Sequence, residues 1–272
     1  MIEIKNLTFA YKNATKRIFR NLDLNFEEGG IYGLLGENGT GKTTLLYLMA
    51  GLYFPTDGNV LIDGDEVSNR NKETLSKFFI IPDEFDFPDT SLSTFLKLRT
   101  PYFKDFSFEL FEENLRLFGM EGDCMLRNLS LGQKKKVMIS FALATGVKAL
   151  LMDEPTNGLD IPSKKIFRKV IARNMRDDQT IIMSTHLVHD VDSLLDRIVV
   201  VKQGGHIFES TINEIEQKYA FEYRTKDEMD DDVLYYEPSP QGNATLSLLK
   251  EGMEETPVNL ELFFNAITSN KL

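Results

Sequence analysis

The chain of 272 residues has one cysteine, Cys124, and three histidines. A single thiol excludes an internal disulfide and any cysteine-based metal cluster. Long hydrophobic runs are missing too. The longest charge-free apolar stretch of interest, Val137 to Val147, has eleven residues, against about 20 for a helix that crosses a bilayer. The start, MIEIKNLTF, lacks the basic region and apolar core of a signal peptide and alternates apolar and polar residues like a strand. A soluble cytoplasmic protein is expected. Basic charge is scarce: 31 Lys and Arg face 42 Asp and Glu, a net charge of −11, which argues against a general polyanion binder and predicts no nucleic-acid partner. The deficit is uneven. Residues 211–272 hold 13 acidic and 5 basic side chains, among them the run Asp230, Asp231 and Asp232. This predicts a main domain over 1–210 and an acidic appendage over 211–272.

What is present is ordinary in bulk. The 42% hydrophobic content is enough for a sizeable core. Through residue 210, β-type apolar stretches alternate with helix-like ones, which predicts an α/β fold with parallel strands. Gly30 to Leu35 reads as a short buried strand and Leu45 to Ala50 as a helix. Between them Gly36, Glu37, Asn38, Gly39, Thr40, Gly41, Lys42, Thr43 and Thr44 fit G-x-x-x-x-G-K-[ST] in full. The glycines let successive N–H groups face one point, an anion nest to which the following helix adds its positive end. Lys42 is expected to reach the β- and γ-phosphates, and the Thr43 hydroxyl to hold Mg²⁺.

A second apolar run, Lys148 to Met152, ends in Asp153 and Glu154. Neighbouring strand residues point to opposite faces, so the two acids are given different work. Asp153 is assigned to the metal, and Glu154 to the attacking water as a general base. A third run, Ile181 to Thr185, ends in His186, at the strand edge that faces ligands in such sheets. A metal pair of His186 with His189 lacks any third ligand at suitable spacing.

GENGTGKTT, LSLGQ, LLMDEPTNGLD and STH, in this order, resemble the nucleotide-binding subunit of an ATP-binding cassette (ABC) transporter, over about residues 1–210. The resemblance implies a phosphate-loop ATPase core with an N-terminal antiparallel β subdomain, a helical subdomain inserted over about 84–145, and a small C-terminal α+β appendage. It places the Walker A motif on Gly36 to Thr44, the signature on Leu129 to Gln133, Walker B on Asp153 with the catalytic glutamate at Glu154, the D-loop on Asn157 to Asp160, and the switch histidine on His186. Tyr11 stands where the family stacks an aromatic ring on adenine. Two departures follow. The signature's usual first glycine is Leu131, and the usual Q-loop glutamine is Asp83, expected to contribute to the metal shell.

The implied ligands are ATP and Mg²⁺. The implied partners are a membrane-spanning permease subunit and a second ATPase subunit, identical or closely homologous, placing the chain on the inner face of the cell membrane. In that head-to-tail pair, Ser130, Gly132 and Gln133 would face the partner's nucleotide. Gly132 is read as permitting close approach of a phosphate, Ser130 as an anion ligand more than a cap, and Lys134 to Lys136 as a solvated face. The segment N-L-E-L-F-F resembles the ending of ABC-2-type and drug- or bacitracin-exporter subunits, which implies export. The alternative is a soluble ABC-type ATPase acting on DNA or the ribosome.

Overall fold

The structure is a computed structural model that describes residues 1–12, 14, 16–250 and 252–272. Strands β1 (Ile2–Phe9) and β2 (Phe19–Phe26) precede β3 (Gly30–Leu35), the glycine loop and α1 (Lys42–Met49). Then come β4 (Asp57–Ile62), β5 (Asp65–Glu66), the single turn α2 (Lys72–Leu75) and β6 (Phe78–Ile81). Helices α3 (Leu92–Arg99), α4 (Phe108–Leu117) and α5 (Leu131–Ala144) form one insertion before β7 (Ala149–Asp153). Next are α6 (Ile161–Asn174), β8 (Thr180–Thr185), β9 (Arg197–Val201) and β10 (Ile207–Thr211). The chain closes with α7 (Ile212–Lys218), β11 (Tyr219–Arg224), β12 (Val233–Ser239), β13 (Gly242–Leu248) and α8 (Leu260–Thr268).

The central sheet has the order β10-β9-β3-β8-β7-β6, all parallel except the edge pair β10 and β9. Its inner strands are apolar on both faces because both faces are covered: all residues of β7 and β8 are buried. Alternation sends Leu151, Ile182 and Val199 to one side, against the antiparallel sheet β2-β1-β4-β5 and α1. It sends Leu150, Ile181, Met183 and Val200 to the other, against α6 and the C-terminal elements.

The insertion has its own core, built on Phe87, Phe95, Phe111 and Phe141. Their rings meet edge-on, as Phe87–Phe95 (5.2 Å) and Phe95–Phe141 (5.3 Å) do. Tyr102 and Phe108 stay exposed. Beyond β10, which spans residue 210, a three-stranded sheet of order β11-β13-β12 stands beside α8. Strands at 219–223 and 233–236 and a helix at 257–267 are readable in the sequence. The central strand β13, NATLSL, is not: its polar residues Thr245 and Ser247 are buried. Phe263 and Ile267 of α8 lie in the same buried cluster as Ile198 and Val200.

Candidate active site

The glycine loop leaves β3 and enters α1 through Gly41, the helix's N-cap, at φ 111°. A side chain there would be strained, and its Cβ would lie 2.7 Å from Ile18 Cγ2. The Lys42 ammonium, almost fully buried, folds back to donate to the carbonyls of Gly36 (2.7 Å) and Glu37 (3.1 Å). Burial pushes its pKa down, opposed by the charges of Glu154 and Asp153. Next to it Thr43 Oγ1 donates to Asp153 Oδ2 at 2.8 Å, and Ser184 Oγ of β8 donates to Asp153 Oδ1. Both oxygens of this buried carboxylate are thus held by hydroxyls from neighbouring elements.

Glu154 follows at φ 44°, a left-handed backbone unusual for a side-chain-bearing residue. Its N–H donates to Ser184 O (3.1 Å) and Ser184 Oγ (3.2 Å). Its Oε1 meets His186 Nδ1 at 2.8 Å, while Oε2 is buried with no hydrogen-bond partner. A buried carboxylate oxygen left unpaired costs about 1–3 kcal/mol or more, so the site is arranged to receive a donor there.

A cleft of about 460 Å³ gathers Tyr11, Asn38, Gly39, Gly41, Lys42, Thr43, Thr44, Asp83, Glu154 and His186. Asp153 sits behind it under Thr43. Gly36 and Glu37 turn their carbonyls to Lys42, and Thr40 bonds Glu37 O. Tyr11 is half-exposed and tied to the loop's helix: its hydroxyl lies 2.6 Å from Thr44 Oγ1. Its ring meets Phe9 and Tyr53 edge-on.

Ser130, Gly132 and Gln133 do not line this cleft. Ser130 caps α5 in a reciprocal box: Gln133 N donates to Ser130 Oγ (3.3 Å) and Ser130 N to Gln133 Oε1 (2.9 Å). So within one chain the cap is its visible work. Gly132 also has a local reason to be glycine, since a Cβ would lie 2.7 Å from the Gly158 carbonyl. Leu131 packs over Gly158 from the same helix start and is half-exposed. The signature and the loop after Glu154 are therefore in contact inside the chain.

Sequence reasoning missed the contacts that Lys135 makes behind Glu154. The reading of Lys134 to Lys136 as a solvated face fails at Lys135, which is wholly buried. Lys134 does reach outward to Asp86, at 2.6 Å. A signal existed: Lys135, Ile139 and Ala142 share the helical spacing of a buried face. Asp83 accepts from Lys135 Nζ (3.3 Å) and from Asn157 Nδ2 (3.2 Å), contacts between distant segments that no local pattern reveals.

A glycine-loop strand and helix, an acid pair on the next-but-one strand and an inserted helical unit define a phosphate-loop ATPase. Known proteins agree. The model of the ABC transporter domain matches residues 19–157, and the chain belongs to the ABC transporter family. It is 34% identical over 215 residues to the phospholipid-transporting ATPase ABCA3 of Mus musculus, covering 75% of this chain but only 12% of that protein. It is 31% identical to the ABC transporter ATP-binding protein NatA of Bacillus subtilis, covering 76% of this chain and 87% of NatA. Among solved structures, the dimeric bacterial ABC transporter cassette MJ0796 matches with a TM-score of 0.66 and 26% identity, covering 78% of this chain and 98% of that one. The chain is an ABC-type ATPase, and a soluble ATPase acting on DNA or the ribosome is not favoured.

Proposed function

We propose that this chain is the ATP-hydrolysing subunit of a transporter, working as half of a head-to-tail pair coupled to a membrane-spanning permease. The observation that carries the chemistry is the Glu154 carboxylate. One oxygen is held by His186, and the other is buried and unpartnered at the cleft that Lys42 enters. An acceptor so placed takes a hydrogen bond from a water and draws its proton as the water attacks the γ-phosphorus, while the bond from that phosphorus to the β–γ bridging oxygen breaks and ADP leaves. His186 orients the carboxylate. Lys42 exchanges its two carbonyl partners for β- and γ-phosphate oxygens, and the phosphate charge offsets the cost of its burial. The loop N–H groups from Gly36 to Thr44 bind the rest of the phosphate chain, and Tyr11 stacks on adenine.

The residues suit Mg²⁺. Thr43 and Asp153 present hard oxygen donors already in contact, with the Asp83 carboxylate on the cleft wall. Among the described residues no three His, Cys, Asp or Glu side chains form a metal cluster. The protein side therefore matches a cation shared with a nucleotide, the usual way Mg²⁺ is held. Held by Thr43 and Asp153, such a cation would supply neutralisation of the charge that develops on the phosphates.

The pairing is supported by the absence of Ser130, Gly132 and Gln133 from their own chain's cleft. A second chain would bring its α5 start and Ser130 to the open side. No helix among the described residues is long and apolar enough to cross a membrane; in this reading the permease carries out translocation. The groove of about 600 Å³ between α3 and α4, lined by Leu92, Leu96, Phe108, Phe111 and Leu115, suits a short amphipathic helix of that subunit. Such docking holds the chain at the inner face of the membrane. Export is the direction we favour, on the N-L-E-L-F-F ending. Residues 211–272 act as a cap on the main domain, since α8 buries Phe263 and Ile267 in its core cluster.

Glu154→Gln keeps the shape and removes the base. Turnover should fall roughly 100- to 10,000-fold while ATP affinity is retained. A variant that keeps wild-type turnover would exclude this role. Co-purification of the tagged chain with a polytopic membrane protein tests the partner.

A further inference from the structure

The Lys135 ammonium has no solvent access and three acceptors, matching its three N–H donors. It gives one hydrogen bond to Asp83 Oδ1 (3.3 Å), one to the carbonyl of Glu154 (3.0 Å) and a longer one to the carbonyl of Asp153 (3.5 Å). An isolated buried charge is prohibitively costly, and Asp83 is the carboxylate that pairs with it. Asn157 Nδ2 steadies Asp83 from the other side, at 3.2 Å to Oδ1 and 3.4 Å to Oδ2.

These bonds fall on the most constrained residue of the site. Glu154 holds a left-handed backbone, a conformation that persists only where its surroundings impose it. Its N–H is fixed by Ser184 of β8. Its carbonyl is fixed by Lys135 of α5. The peptide planes on both sides of the Glu154 Cα are therefore anchored, and the direction of its side chain follows. A glutamine at position 83 would carry no charge to balance Lys135, so the departure at Asp83 and the buried lysine explain each other.

We propose that Lys135 is a positioning residue for Glu154, with Asp83 as its counter-charge. It acts through the main chain of residues 153 and 154, and it ties the aim of the base in this site to α5, the helix whose first turn carries Ser130. This inference rests on the reading of Glu154 as the base.

The test uses the full chain with Mg²⁺-ATP, measuring kcat, ATP affinity by equilibrium binding, and thermal midpoint, for Lys135→Met, Asp83→Asn, their double variant and Glu154→Gln. Lys135→Met is expected to lower kcat by about 100-fold, the scale of loss for a misplaced catalytic group, with ATP affinity within about threefold of wild type on the same scale of argument. Its thermal midpoint is expected to fall, because Asp83 is then left without its cation; the double variant restores neutrality and is expected to regain the thermal midpoint but not kcat. Adding Lys135→Met to Glu154→Gln should cost little more, since the base it aims is gone. Recovery of kcat with stability in the double variant, or wild-type kcat in Lys135→Met, overturns the proposal. Wild-type turnover in Glu154→Gln would instead overturn the reading beneath it.

Discussion

Lys42 shows how one side chain is kept ready. Its ammonium is buried, its pKa pulled down by burial, and its donors occupied by the loop's own carbonyls. The charge is thereby held where a phosphate would arrive, without water to displace it. Lys42→Met should weaken ATP binding about 10- to 100-fold, the worth of one charge-assisted hydrogen bond at roughly 1.5–3 kcal/mol. Titration of the purified chain with Mg²⁺-ATP reads this directly, and an unchanged affinity would remove Lys42 from the site. Residues of this kind were legible because their chemistry is local: nine consecutive positions from Gly36 to Thr44 state a loop, a charge and a helix start. Lys135 was not legible as a site residue. Its role depends on Asp83, 52 positions away, and on a carbonyl, which every residue possesses.

Elements meet at two glycines. The start of α5 lies against the loop after β7, with Gly132 facing the Gly158 carbonyl and Leu131 covering Gly158. Gly132→Ala would put a methyl group 2.7 Å from that oxygen, and neither backbone can yield cheaply. The expected loss is about 1–3 kcal/mol of stability, measured by urea unfolding. ATP turnover should fall as well, because the same helix start serves the proposed partner site. A stable variant with unchanged turnover would show that the contact is slack. Backbone approach was the need, and within the chain the approaching group is a carbonyl. Element types were read well where a segment was buried on both faces, as in β3, β7 and β8. Strand β13 was missed because its polar side chains, Thr245 and Ser247, are buried by its neighbours and interrupt the apolar signal.

At the scale of the whole molecule, the cleft gathers residues of the phosphate loop and Glu154, with Asp153 behind Thr43, while the signature residues stand outside it. Apolar side chains are exposed at the starts of α5 and α6, Leu131 at 52% and Ile161 at 84%. In the proposed pairing, one chain carries two complementary half-sites. Specific ATPase activity should fall on dilution as pairs dissociate, and Ile161→Asp should lower it at a fixed concentration. Constant specific activity well into the monomer range, checked by light scattering, would contradict the pairing.

The class of protein was settled by four short motifs in order, since phosphate binding and water activation need particular atoms at particular spacings along adjacent loops. What the motifs do to one another was settled only by folding. The sheet order brings β7 and β8 together, so Ser184 reaches Asp153 and His186 reaches Glu154. The packing of α5 buries Lys135 against Asp83 and the Glu154 carbonyl. A motif encodes what a residue can bind, whereas the partner it finds depends on which distant backbone the core brings within 3 Å.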